Sequence, residues 1–303
     1  MANATAWIQA FRLRTLPLAL SSIALGGFAA WHRGSFQLTV SLLAALTTLL
    51  LQILSNLAND YGDSKKGTDN DNRVGPSRAV QSGAISPASM KRAVIFFSGL
   101  SLLSGILLLL AAFGTSGKLY LLLSFFLLGV GAILAAIRYT IGENPYGYAG
   151  FGDLFVFLFF GLVAVAGTFF LNGLKLEFDV FYLAAAMGLL STGVLNLNNM
   201  RDIENDRASG KNSLVVKMGS SRALIYHVGL ITLALLSFLL YSWSHFQSWS
   251  QLSYVAVYPL FFIHIRRVVM EKEARKLDPR LKELALLSLL LVVVFGLSLN
   301  LTL

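Results

Sequence analysis

The chain has 303 residues, which by length alone suits one large domain or two small ones, yet 56% of it is apolar, only 13% is charged and the mean hydropathy is +0.69. A soluble surface needs about 25% charged residues, so a soluble enzyme, a disordered regulator and a secreted disulfide scaffold are excluded. The absence of cysteine also removes thiolate catalysis, thiolate metal sites and disulfides.

The elements follow in order. Trp7 and Phe11 lie beside Arg12 and Arg14, so residues 5–14 form either an interfacial helix or a plain tail. Nine continuously apolar runs then follow, at 16–31, 38–58, 93–113, 119–137, 154–171, 180–197, 224–241, 252–265 and 284–301. Each reads as a membrane-crossing helix, with the eighth short for the purpose. Their apolar residues do not alternate as barrel strands would, and the expected fold is all-α, one membrane domain spanning residues 1–303.

Charge sets the orientation. Of the 24 Lys and Arg, only Arg33, Lys118 and Lys175 fall in connections on one side; the rest share the other. The positive-inside rule then places the N-terminus in the cytoplasm and the C-terminus in the periplasm of a bacterial inner membrane. The net charge of +9 is topogenic on this reading, and no nucleic-acid partner is expected.

Seven of the fifteen acidic residues occupy two inner loops, after the second and sixth spans. Both windows open on asparagine: Asn56-Leu-Ala-Asn59-Asp60-Tyr-Gly-Asp63, and Asn196-Leu-Asn198-Asn199-Met-Arg201-Asp202-Ile-Glu-Asn-Asp206. If each span continues as a helix, Asn56, Asn59, Asp60 and Asp63 share one face, as do Asn199, Asp202 and Asp206. Carboxylates that close repel unless a cation lies between them. A hard-oxygen ligand set without Cys or His favours Mg²⁺, which completes its shell with phosphate oxygens. Interleaved bases (Lys65, Lys66, Arg73 and Arg78; Arg201, Arg207 and Lys211) suit phosphate. The two clusters therefore predict a diphosphate site with Mg²⁺ held by Asp60, Asp63, Asp202 and Asp206. Asp69 is a further candidate ligand, and Asn56, Asn59, Lys65, Arg73, Arg78, Asn199, Arg201 and Lys211 would hold the diphosphate. Four dispersed histidines read as structural.

Asn59-Asp60-x-x-Asp63 and Asp202-x-x-x-Asp206 resemble the paired aspartate motifs of the UbiA superfamily of intramembrane aromatic prenyltransferases. Four further stretches resemble its menaquinone branch: Arg14-Thr-Leu-Pro17, Gly67-Thr-Asp69 with Gly75-Pro-Ser-Arg78, Tyr139 to Asp153, and Gly210-Lys211. Gly67 stands where the superfamily's usual third aspartate would be, which weakens Asp69 and Asp71 as ligands. The resemblance implies nine helices around a cavity open sideways to lipid. It also implies transfer of a polyprenyl group from polyprenyl diphosphate to 1,4-dihydroxy-2-naphthoate, with loss of diphosphate and CO₂, to give demethylmenaquinone. Tyr139, Tyr146 and Tyr148 would shield the cation or stack on the ring, or else belong to an interfacial belt. Asp153 would orient a ring hydroxyl or cap its helix. The alternatives are a hydroxybenzoate-type acceptor and, in another class, a transporter, which would place its charges near mid-membrane.

Overall fold

The computed structural model describes residues 4–69, 74–75, 78–114 and 117–301, and among these there are helices and loops but no strand. Nine helices among the described residues are long and apolar enough to cross a membrane. A short helix α1 (Ala4–Phe11) precedes α2 (Leu16–His32), α3 (Leu38–Lys66), α4 (Pro87–Phe113) and α5 (Leu119–Arg138). Then come α6 (Gly152–Gly173), α7 (Val180–Arg201), the short α8 (Ile203–Ala208) and α9 (Leu214–Met218), α10 (Ser220–Ser244), α11 (Trp249–Met270) and α12 (Asp278–Asn300). The chain is a multi-pass membrane protein.

The interfacial segment is helical only to Phe11. Arg12 takes a left-handed conformation (φ 51°) that breaks it from α2. Ala6 and Ala10 of α1 pack on Leu54, Leu57 and Tyr61 of α3, so α1 lies across that helix's polar end. α3 runs eight residues past its apolar stretch before Gly67, at φ 73°, closes it with the Thr68 N–H on the Asp63 carbonyl. That extension carries the first acidic motif on regular helix, as its spacing predicts.

α7 behaves otherwise. It ends at Arg201; Asp202 (φ −99°, ψ 11°) breaks it, and α8 restarts beyond. Asn199, Asp202 and Asp206 therefore do not share one continuous helix. The Asp206 N–H still reaches the Asp202 carbonyl at 2.8 Å, which keeps the two aspartates one turn apart.

The eighth span is made sufficient by winding. Residues Trp249–Val257 form nine residues of 3₁₀-helix before thirteen of α-helix from Tyr258. At about 2.0 and 1.5 Å per residue these reach roughly 37 Å. α6 is wound as a π-helix over Phe157–Ala166. It meets α7 backbone to backbone: a Cβ on Gly161 would lie 2.4 Å from the Ala184 carbonyl, and one on Gly188 2.7 Å from the Phe157 ring. Such contacts substitute for the hydrophobic drive that lipid does not supply.

Packing is uneven around the bundle. The largest buried cluster joins α2, α6, α7, α10, α11 and α12, whereas no residue of α5 is buried. Between the dense side and the looser α3–α5 side lies the cavity.

Candidate active site

The cavity measures about 390 Å³. Its body is apolar, with Leu109, Phe125, Phe159 and Val163 on its wall, and its polar end is set by five basic side chains: Arg12, Arg14, Arg78, Lys211 and Lys282. Asp63 is the one carboxylate on that wall among the described residues, accompanied by Asn56, Asn59, Asn198 and Tyr139. The space suits a molecule with a strongly anionic head and a long apolar body.

α3 supplies the first motif. Asn56 faces the cavity while its amide donates to the Phe11 carbonyl (3.0 Å) and the Thr15 hydroxyl (3.3 Å), holding the elbow between α1 and α2. Asn59 accepts from the Thr140 hydroxyl at 3.4 Å, which also donates to the Ala58 carbonyl. Thr140 comes this close because Gly62 has no side chain: a Cβ there would lie 2.5 Å from its oxygen. Asp63 accepts from the Tyr148 hydroxyl at 2.8 Å and pairs with Arg78 at 3.6 Å. Asp69, turned back by Gly67, pairs with Arg78 at 3.4 Å, while the Nη1 of Arg78 is buried with no hydrogen-bond partner among the described residues.

The second motif meets the first across the loops. Asn205 donates to the Thr68 carbonyl (2.8 Å), and the Asn212 N–H to the Tyr148 carbonyl (3.0 Å). Lys211 pairs with Asp206 at 3.4 Å. Burial opposes its charge, but Asp206, Asp63, Tyr139 and Asp202 more than offset that, and its pKa stands above the ordinary lysine value. Burial pushes Asp206 up to about 6 against the pull of Lys211, and pushes the Tyr139 phenol up to about 12. Asn199 is buried, and its Oδ1 has no partner among the described residues.

Several expected site residues are placed elsewhere. Lys65 is exposed, with Nζ 4.7 Å from the centre of the Tyr61 ring; two residues beyond Asp63, it lies about 200° around the helix. Arg201 is fully buried and off the cavity wall, because its guanidinium is saturated. It holds Asp202 through Nε (3.0 Å) and Nη2 (2.5 Å), Asn198 at 2.9 Å, and Asp278 through Nη1. Asp202 is therefore neutralised within its own motif. Asp153 is buried but turned to Tyr226 of α10, away from the wall. Asp60 is also off the wall, with both oxygens on backbone amides. Arg73 and Asp71 lie outside the described residues.

Of the three tyrosines, Tyr139 and Tyr146 line the cavity, Tyr146 stacking on Phe155 at 4.0 Å, while Tyr148 acts as a donor to Asp63. Sequence reasoning missed Arg12, Arg14, Asn198 and Lys282 on the wall, and the Asp278 bridge between Arg14 and Arg201. The run Arg14-Thr-Leu-Pro17 was the signal for Arg14, and the window from Asn196 to Asp206 already held Asn198; nothing in the sequence singled out Lys282 or Asp278.

Comparison with known proteins agrees with this geometry. Residues 19–290 match the UbiA prenyltransferase family. The chain is 41% identical over 296 residues, covering 97% of it and 95% of the other protein, to a 1,4-dihydroxy-2-naphthoate octaprenyltransferase of Haemophilus influenzae. It is 42% identical over 298 residues, covering 98% and 96%, to the Escherichia coli protein of the same description. In structure it is similar to a UbiA homologue from Aeropyrum pernix K1, with TM-score 0.68 at 18% identity over 95% of this chain and 97% of that one. A UbiA homologue from Archaeoglobus fulgidus bound to GPP and Mg²⁺ gives 0.64 at 19% identity over 97% and 100%. At those identities the likeness concerns the fold.

Proposed function

Since the chain belongs to the UbiA prenyltransferase family, we propose that it transfers a polyprenyl group from polyprenyl diphosphate to 1,4-dihydroxy-2-naphthoate in menaquinone synthesis. The observation that carries this reading is the cavity itself: five cations at one end of an apolar chamber among membrane helices. The acceptor rests on the two relatives at 41% and 42% identity.

The donor's head binds at the polar end, where Arg78 and Lys211 meet the diphosphate oxygens, and its tail follows the apolar wall toward lipid. The side-chain oxygens fit a divalent metal by their chemistry: Asp63 and Asn59 on the wall and, off it, Asp206 paired with the wall residue Lys211 and Asn199, whose Oδ1 has no partner among the described residues, are all hard donors. Among the described residues no three acidic or histidine side chains converge as a ready-made cage; Mg²⁺ takes few carboxylates and shares substrate oxygens. Bound Mg²⁺ supplies Lewis acidity that makes diphosphate a better leaving group. The allylic C–O bond breaks with its electron pair leaving on diphosphate, and a new C–C bond forms from the electron-rich ring. The ring carboxylate departs as CO₂, returning its bonding pair to the ring. Tyr139, held neutral by its raised pKa, and Tyr146 border the space where the cationic carbon forms and help exclude water. The skew of Lys and Arg toward one set of connections supports a bacterial cytoplasmic membrane as its location, with N-terminus and active site on the cytoplasmic side.

Carboxyl-labelled 1,4-dihydroxy-2-naphthoate, given with Mg²⁺ and a polyprenyl diphosphate to the purified protein, should release one labelled CO₂ per prenyl group transferred. Prenylation of 4-hydroxybenzoate with its carboxylate retained, and none of the naphthoate, would overturn the choice of acceptor.

A further inference from the structure

Asp60 carries the signature of a metal ligand in the sequence, yet the structure gives its carboxylate another task. The residue is 1% exposed and absent from the cavity wall. Its Oδ2 accepts the Ala79 N–H at 3.1 Å and its Oδ1 the Val80 N–H at 3.2 Å. Those amides open a single helical turn, closed by the Ser82 N–H on the Arg78 carbonyl at 2.9 Å and followed by Ile85 N–H on Ala79 at 2.9 Å. The leading amides of a helical turn have no partner within it, and a carboxylate is the strongest acceptor they can meet. Asp60 thus fastens the turn beginning at Arg78 to the side of α3. Arg78 in turn lines the cavity between Asp63 and Asp69.

We propose that Asp60 is a positioning residue: it holds the 78–82 turn so that the Arg78 guanidinium points at the diphosphate, and it does not ligate the metal. This rests on the diphosphate reading of the cavity, but its first test does not. The three-position step from Asp60 to Asp63 divides the motif, one carboxylate on the cavity and the other on the turn that completes it. The geometry also gives an independent handle, because the same clamp can be opened from its donor side. Ala79 occupies the first position of the turn, where proline is tolerated and merely deletes an N–H.

Asp60→Asn and Ala79→Pro are compared with wild type and Asp63→Asn, all in lipid nanodiscs. Without metal or substrate, amide hydrogen exchange over residues 78–85 should quicken roughly tenfold or more in both clamp variants, since each loses a charge-assisted hydrogen bond. In turnover, both should raise KM for prenyl diphosphate by about tenfold, with the half-activating Mg²⁺ concentration within about twofold of wild type. Asp63→Asn should raise that Mg²⁺ concentration. Exchange over 78–85 unchanged in Ala79→Pro and Asp60→Asn would overturn the proposal. So would an Mg²⁺ requirement in Asp60→Asn raised as far as in Asp63→Asn while Ala79→Pro stays at wild type. If Asp60→Asn does not insert, Ala79→Pro, which leaves the carboxylate intact, decides alone. Quickened exchange with no prenyl transfer by the wild-type protein would uphold the clamp and sink the diphosphate reading.

Discussion

Replacing Lys211 by methionine separates what this side chain does for the fold from what it does for the reaction. The pair it forms with Asp206 spans 3.4 Å, with side-chain exposures of 9% and 2%, so solvent does little to screen it. Removing one partner of such a pair leaves a buried charge and typically costs about 3–5 kcal/mol of stability. Lys211 also lines the cavity, and losing a preorganised cation beside a leaving diphosphate typically costs about 3–4 kcal/mol, or roughly 10²–10³ in kcat. The double variant Lys211→Met with Asp206→Asn distinguishes the two, because it deletes the stranded charge. Thermal unfolding in detergent should show the single variant destabilised and the double variant recovering most of the loss. Prenyl transfer per folded enzyme should remain depressed in both. Wild-type kcat in Lys211→Met at saturating substrates would refute the placement of Lys211 against the diphosphate.

Tyr148→Phe should fold normally and weaken turnover by about tenfold or less, since it removes one hydroxyl from Asp63 and leaves the ring; steady-state kinetics and unfolding curves check both halves. Arg201→Met should act chiefly on stability, by about 3–5 kcal/mol, because it removes the buried cation paired with Asp202, while Asp278 keeps Arg14; an unchanged unfolding temperature with lost activity would contradict that. Asp153→Asn should cost less activity than Asp63→Asn, because Asp153 lies off the cavity wall. The chain has no cysteine, so single substitutions map topology cleanly: in intact cells an impermeant thiol reagent should label Lys175→Cys and spare Lys272→Cys.

Periodicity located both acidic motifs at equivalent helix ends, and α3 bears this out from Asn56 to Asp63. What it could not give was the identity of the neighbour on each face. Asp60 and Asp63 are one turn apart on the same helix, but one meets the backbone amides of residues 79 and 80 in a returning loop and the other meets Tyr148, Arg78 and the cavity. Arg201 looked like a phosphate clamp because nothing near it in sequence predicts Asp278, 77 residues away. Lys65 was misplaced for a simpler reason, its position on the far side of α3. The break after Arg201 also escaped notice: no glycine or proline marks it, and Asp202 turns the chain while bonded to its own neighbour. Arg12 and Lys282 reach the cavity from the two ends of the sequence, a closeness that only the closed bundle creates.

The hydrogen bond between Thr68 and Asn205 joins segments 137 residues apart, and this has a bearing on how the protein is made. At roughly 5–20 residues per second, the first acidic segment leaves the ribosome on the order of ten seconds before its partner exists. During that interval α3 stands in the bilayer with Asp63 lacking Lys211 throughout and the Tyr148 hydroxyl for the first part. The polar end of the chamber is therefore among the last parts to assemble, after the later helices have arrived to close it. A chain halted between α6 and α7 would be inserted, helical and without a binding site.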